Sequence, residues 1–232
     1  LTVLEADEST RYLVLEMGAS GPGHIAYLTD IAPLDAAGVL MIGHAHMGGF
    51  GSIEGVAAAK AEIIAGLLPE GTAILNADDA RCAAMAELAP ARVLTFSAQG
   101  DSADLRAENV VVDETARAAF DLHLPGLDAP RRVQLAVAGA HNVANALAAA
   151  GLALAAGLEP ELIAERLGSV SIESPHRMDV SELSGDLLLI DDSYNANIDS
   201  MTAALAALPA LAGSRRRVVV VSEMLELGES SA

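Results

Sequence analysis

Thr72-Ala73-Ile74-Leu75-Asn76-Ala77-Asp78-Asp79-Ala80 decides the fold. Ala73, Ile74 and Leu75 are apolar on consecutive positions, which reads as a strand buried on both faces, the state expected when helices cover both sides of a parallel sheet. The polar run that follows ends the strand and opens a helix over 80–88. Asp78 can accept a bond from a backbone N–H there, and its charge suits the helix dipole. Working outward, strands are predicted over 12–16, 38–42, 72–76 and 92–96, alternating with helices over 23–31, 52–67 and 80–88. This is the rhythm of βαβ units around a mostly parallel sheet flanked by helices. Runs at 109–113, 119–124 and 132–137 predict a small antiparallel sheet beside it. Helices over 141–156 and 160–167 follow, the second started by Pro160. Ser174-Pro175-His176 reads as a linker. Strands over 178–183, 187–191 and 217–221 and a helix over 200–211 then predict the start of a second Rossmann-like α/β unit.

Composition narrows the function classes. With 52% hydrophobic and 19% charged residues among 232, the chain has the material for a sizeable core. Its formal charge of −19 leaves no electrostatic footprint for a phosphate backbone, so no nucleic-acid partner is expected. The least polar stretch, 143–158, is shorter than the roughly 20 residues a membrane span needs and is interrupted by Asn145, so no membrane insertion is expected. A single cysteine, Cys82, is compatible with a reducing compartment and predicts a cytoplasmic location. The chain does not begin with Met, so Leu1 is expected to be a cut end.

Polar residues gather where the predicted strands end. In open α/β sheets ligands bind outside those carboxyl ends. Glu16 stands there before a Gly-rich turn, either as a ligand or as a solvated strand-end acid. Gly43-His44-Ala45-His46-Met47-Gly48-Gly49 places two imidazoles in a glycine-rich loop, a weak metal pattern that many loop histidines share. Lys60 is the single lysine among 13 basic residues; it is either a chance survivor or a position that needs a primary amine, which a guanidinium cannot replace. Asn76 and one of the two following acids remain after capping is satisfied. Asn142 and Asn145 lie three apart on one face of a helix start; Asn142 can merely cap, whereas Asn145 suggests a polar partner such as an adenine edge. Asp191-Asp192-Ser193-Tyr194-Asn195-Ala196-Asn197 is dense in hydrogen-bonding side chains, as a functional loop or as a turn-rich surface.

In order and spacing, the segments 16–19, 23–29, 43–52, 59–62, 75–79, 139–146, 176–180, 191–201 and 223–228 resemble the Mur ligase family. The Tyr194-Asn195-Ala196-Asn197 stretch points, within that family, to the joining of D-Ala-D-Ala to UDP-MurNAc-tripeptide in peptidoglycan synthesis. The resemblance implies a central ATP-binding domain over 1–176 and the beginning of the C-terminal domain over 177–232. It implies Mg²⁺ on Glu16 and His46, a carbamylated Lys60 as a further oxygen donor, and adenine contacts from Asn142 and Asn145. Asn76 joins the nucleotide-binding set, Arg177 reaches the ATP phosphates, and Asp192, Tyr194 and Asn195 close over nucleotide and substrate. A monomer is expected. The chain departs from the family's pattern at Met41, Gly49, Ile198 and Ser222, and no G-x-x-x-x-G-K-[ST] phosphate cradle occurs in it. The expectation is therefore a piece of an ATP-dependent amide ligase that acts through an acyl phosphate and is not competent alone. The alternative is a non-catalytic remnant or binding module that keeps the fold. A doubly wound dehydrogenase is disfavoured, since no G-x-G-x-x-G follows the first predicted strand.

Overall fold

A computed structural model describes residues 2–43, 50–100, 102–170, 175–222 and 224. The first unit is built on a six-stranded sheet in the order β1 (Leu34–Val39), β2 (Leu67–Asn76), β3 (Arg92–Ser97), β4 (Leu105–Val112), β5 (Arg117–His123) and β6 (Arg131–Ala138). Strands β1 to β4 are mutually parallel, and β5 and β6 continue the sheet antiparallel. The antiparallel strands therefore extend the parallel sheet through β4 and share its core. Helix α1 (His24–Ile31) precedes β1, α2 (Ile53–Ala65) joins β1 to β2, α3 (Ala80–Ala84) follows β2, and α4 (Asn142–Ala155) and α5 (Pro160–Leu167) follow β6. Strands β7 (Asp179–Leu183) and β8 (Leu187–Asp191) then form an antiparallel pair, followed by α6 (Ile198–Ala212).

The consecutive apolar residues of β2 are buried on both faces. Ala73 and Leu75 join the core under α2 and α3 with Val56, Ile64 and Cys82, whereas Ile74 joins the core under α4 with Phe96, Phe120 and Leu147. Helix α4 reaches the sheet closely because Gly151 has no side chain: a Cβ there would lie 2.8 Å from Cγ2 of Ile74. On the other face α1 is fastened to α2. The Glu62 carboxylate accepts from the N–H groups of Gly23 (2.6 Å) and Ala26 (3.0 Å), supplying from 39 residues away the cap that α1 lacks locally.

Two predicted strands are absent. Residues 12–16 and 217–221 are β-rich in composition yet belong to no sheet, and Val14 and Val220 are 83% and 92% exposed. A strand is stable only when its N–H and C=O groups find a neighbour, and among the described residues neither run is paired. The strand expected at 38–42 instead ends at Val39, because the backbone of 40–42 bonds to side chains. The helix expected over 80–88 is α only to Ala84 and tightens into a 3-10 turn over Met85–Leu88. Helix α6 begins two residues earlier than predicted, because Asn197 and Ser200 form a reciprocal capping box.

Gly151→Ala would ordinarily gain up to about 1 kcal/mol in a helix. Here the added methyl meets a fully buried Ile74, so a net loss of about 1–2 kcal/mol is expected in urea unfolding.

Candidate functional site

The turn after β2 laces together the carboxyl ends of three parallel strands. Asn76, almost fully buried, donates from Nδ2 to the Leu40 carbonyl (2.8 Å) and accepts at Oδ1 from the Asp78 N–H (2.9 Å). Asp78 turns toward β3, accepting from the Ser97 hydroxyl (2.6 Å) and the Ala98 N–H (2.7 Å). Asp79 turns toward β1: Oδ2 accepts from the Ile42 N–H at 2.7 Å, while Oδ1 caps α3 through the N–H groups of Arg81 and Cys82. The N-cap is thus Asp79 rather than Asp78, because Asp78 is committed to the neighbouring strand.

Lys60 completes this rim. Its position on α2 carries the ammonium back to the end of β1, where Nζ donates to the Met41 carbonyl at 2.8 Å. Three successive residues, Leu40, Met41 and Ile42, are therefore held by Asn76, Lys60 and Asp79. Burial of the Lys60 amine pulls its pKa below the ordinary lysine value, opposed by the negative fields of Cys82, Asp79 and Asp199. Burial would raise Asp79, yet the N–H bonds from Ile42, Cys82 and Arg81 outweigh it and hold the carboxyl below its usual range. Cys82, fully buried beneath this group, has its thiol pushed up to about 12 by burial and by the charge of Asp79.

A second cluster forms where β8 ends. His176 Nδ1 lies 2.7 Å from Asp191 Oδ2, and the Ser193 hydroxyl donates to Asp191 Oδ1 at 2.7 Å; with those partners Asp191 is pulled down to about 2. Asp192 accepts from the Met178 N–H (3.0 Å), and Tyr194 donates its N–H to the His176 carbonyl (3.0 Å). The Arg177 guanidinium stacks over the Tyr194 ring, 4.1 Å from its centroid. Asn195 accepts from the Ala196 N–H at 2.8 Å. This cluster faces the start of α4: His141 is pulled below its ordinary pKa by burial, an effect Asp192 opposes. On α4 itself, Asn142 donates to the Ala138 carbonyl (2.7 Å) and accepts from the Asn145 carboxamide (2.9 Å).

Lys60 and Asn76 therefore share the sheet rim, and Asp192, Tyr194 and Asn195 share the β8 loop, against which Arg177 packs from just before β7. Asn142 and Asn145 pair with each other at the α4 start. Glu16 lies exposed on the unpaired segment 12–16 and does not end a strand. His46, and with it the expected approach of Glu16 to His46, lies outside the described residues, as does the stretch 225–228. Of the two acids that follow Asn76, the one expected to remain after capping, Asp79, takes the cap, and Asp78 is the one left for another partner. His141 and Asp199 carry no signal in the residue pattern and reveal themselves only through residues far along the chain.

Residues 1–153 match the Mur ligase middle domain, and residues 176–232 match the Mur ligase, glutamate ligase domain. The chain belongs to the Mur ligase family. It is 45% identical over 234 residues to the UDP-N-acetylmuramoyl-tripeptide--D-alanyl-D-alanine ligase of Mycobacterium tuberculosis, covering 99% of this chain and 45% of that relative. The enzyme of the same name from Escherichia coli is 38% identical over 232 residues, covering 100% of this chain and 50% of the relative. A crystal structure of MurF from Acinetobacter baumannii superposes with a TM-score of 0.89 at 36% identity, covering 99% of this chain and 49% of that one. MurF from Thermotoga maritima, solved in complex with ADP, superposes with a TM-score of 0.75 at 28% identity, over 94% of this chain and 48% of that one. The chain spans about half the length of the curated relatives it matches. Among the described residues, the segment 75–79 falls on the laced rim, 191–197 on the β8 loop and 139–146 at the start of α4.

Asp79→Ala removes a helix cap and leaves the Ile42 N–H without its acceptor, so a loss of about 2–3 kcal/mol is expected in chemical denaturation. Cys82 sets a pH dependence. Between its ordinary 9.0 and about 12, the unfolded chain loses the thiol proton that the folded one keeps, so stability falls as pH rises through that window. Cys82→Ala should flatten that fall, and the native thiol should resist alkylation at pH 8 while the denatured chain reacts.

Proposed function

We propose that this chain forms the central part and the start of the C-terminal part of an ATP-dependent amide ligase that joins D-Ala-D-Ala to UDP-MurNAc-tripeptide. The observation that carries it is the half-buried amine of the solitary Lys60, held on the Met41 carbonyl at the carboxyl rim of a parallel sheet. Identity of 45% to a ligase of that name supports the choice of substrates.

In this reading the γ-phosphoryl group of ATP passes to the tripeptide carboxylate. The amine of D-Ala-D-Ala then attacks the acyl phosphate, expelling phosphate and forming the amide. The chain's own residues orient and shield. Asn142 and Asn145 present a paired carboxamide surface for the adenine, Arg177 swings from the Tyr194 ring to the phosphates, and Asp192, Tyr194 and Asn195 lie over the rim to exclude water. Asn76 keeps the rim in place.

Among the described residues no three His, Cys, Asp or Glu side chains converge as a ready-made metal site. The donor chemistry fits Mg²⁺ through Lys60: burial favours the neutral amine, whose lone pair adds to the carbon of CO₂ with release of one proton, giving a carbamate with hard oxygen donors. Glu16 and His46 are the further ligands this reading assigns. A bound Mg²⁺ would supply neutralisation of phosphate charge.

The test is a ligation assay on the complete translation product, with ATP, UDP-MurNAc-tripeptide and D-Ala-D-Ala. Phosphate release should require all three substrates. Lys60→Arg, which keeps the charge but cannot form the carbamate, should lower turnover by roughly 100-fold or more, in the range seen when a charge-stabilising group is removed. ¹³C-bicarbonate should give a carbamate carbonyl resonance that the variant lacks. Full turnover by Lys60→Arg would remove that lysine's assigned role, and phosphate release without D-Ala-D-Ala would count against the ligase.

A further inference from the structure

Asp199 belongs to the first turn of α6, in the second unit, yet it sits against the first unit's rim. A Cβ built on Gly43 would lie 2.6 Å from Asp199 Oδ2 and 3.6 Å from its Cγ, so the carboxylate occupies the space that only a glycine leaves open. Gly43 directly continues the segment 40–42 that Asn76, Lys60 and Asp79 hold. One short stretch thus carries the Lys60 ammonium on its Met41 carbonyl and the Asp199 carboxylate on Gly43. The capping box of Asn197 and Ser200 fixes the turn that delivers Asp199, so its direction is set by local structure.

We infer that Asp199 is a latch between the two units: its carboxylate seats on the backbone of Gly43, within the field of the Lys60 ammonium, and holds α6 on the sheet rim. Glycine at 43 makes room for the latch, and the positive charge at 60 favours it. The field of Asp199 also supports the ammonium, consistent with its opposing the burial effect on Lys60. The same geometry makes Asp199 a positioning residue for the loop that follows β8, since α6 and that loop are contiguous. The latch stands on the contact alone; its consequence for the reaction rests on the ligase reading, in which a carbamate at Lys60 reverses the local charge and drives Asp199 away. Lysine modification and release of the second unit would then be one event.

Spin labels at A91C and S214C, on exposed positions of the two units, report their separation by electron–electron dipolar spectroscopy in the full chain without nucleotide or CO₂. Cys82 is fully buried and stays unlabelled. Asp199→Ala, Asp199→Asn and Lys60→Met should each lower the short-distance population by roughly fivefold, within the range of coupling between neighbouring residues. Gly43→Ala, which fills the seat without touching a charge, should do the same in the parent and add nothing in the Asp199→Ala background. Circular dichroism on each variant separates opening from unfolding. A Gly43→Ala effect that persists undiminished without Asp199, or a short-distance population retained by Asp199→Asn, overturns the latch. Because the readout involves no ligation, its failure leaves the ligase reading standing, and loss of the ligase reading leaves the latch.

Discussion

The structure depends on how the turn 76–79 satisfies the backbone at the top of the sheet. Each parallel strand that ends there sends its chain away over the rim, leaving N–H and C=O groups that no further strand pairing can satisfy. Asn76 and Asp79 reach to the chain after β1, Asp78 reaches to the end of β3, and each does so through short hydrogen bonds. Three separate strand ends become one rigid edge. A site that must position charged groups needs such a foundation, because a side chain is placed no better than the backbone that carries it.

Lys60 shows what that edge is for. In a chain of net charge −19 an ammonium could find partners almost anywhere on the surface, yet the only lysine is drawn inward on to a carbonyl. Burial disfavours its charged form, and the nearby acids offset part of that cost. Burial thus shifts the amine toward its neutral form, the direction that suits a group that must react through its lone pair. Arginine could donate the same bond to the carbonyl but could not approach neutrality.

The second unit meets this edge through acids. Asp192 faces His141 at the start of α4, and Asp199 rests on Gly43. The joint between the units is also specific: His176 and Met178, on either side of Arg177, adopt positive φ angles of 63° and 49°, which cost a non-glycine residue roughly 1–3 kcal/mol each. The bonds from Tyr194 to the His176 carbonyl and from Met178 to Asp192 offset that strain. Arg177 is thereby aimed at the Tyr194 ring.

Much of this was legible in the sequence. Burial of β2 on both faces follows from Ala73, Ile74 and Leu75 being apolar in succession, and the helix after Asp78-Asp79 follows from capping chemistry. The polar strand ends, the solitary lysine and the pair Asn142 and Asn145 all stand out as residue types in unusual places. Periodicity could not say that 12–16 and 217–221 lack partners, that Asp79 and not Asp78 caps α3, or that the two asparagines bond to each other. Local pattern determined which segments form elements and where polar groups collect, because helix periods and capping act over a few neighbouring residues. Tertiary structure alone decided that Glu62 caps α1, that Lys60 seats on Met41 and that Asp199 reaches Gly43, since each contact joins residues that only packing brings within hydrogen-bonding or van der Waals distance.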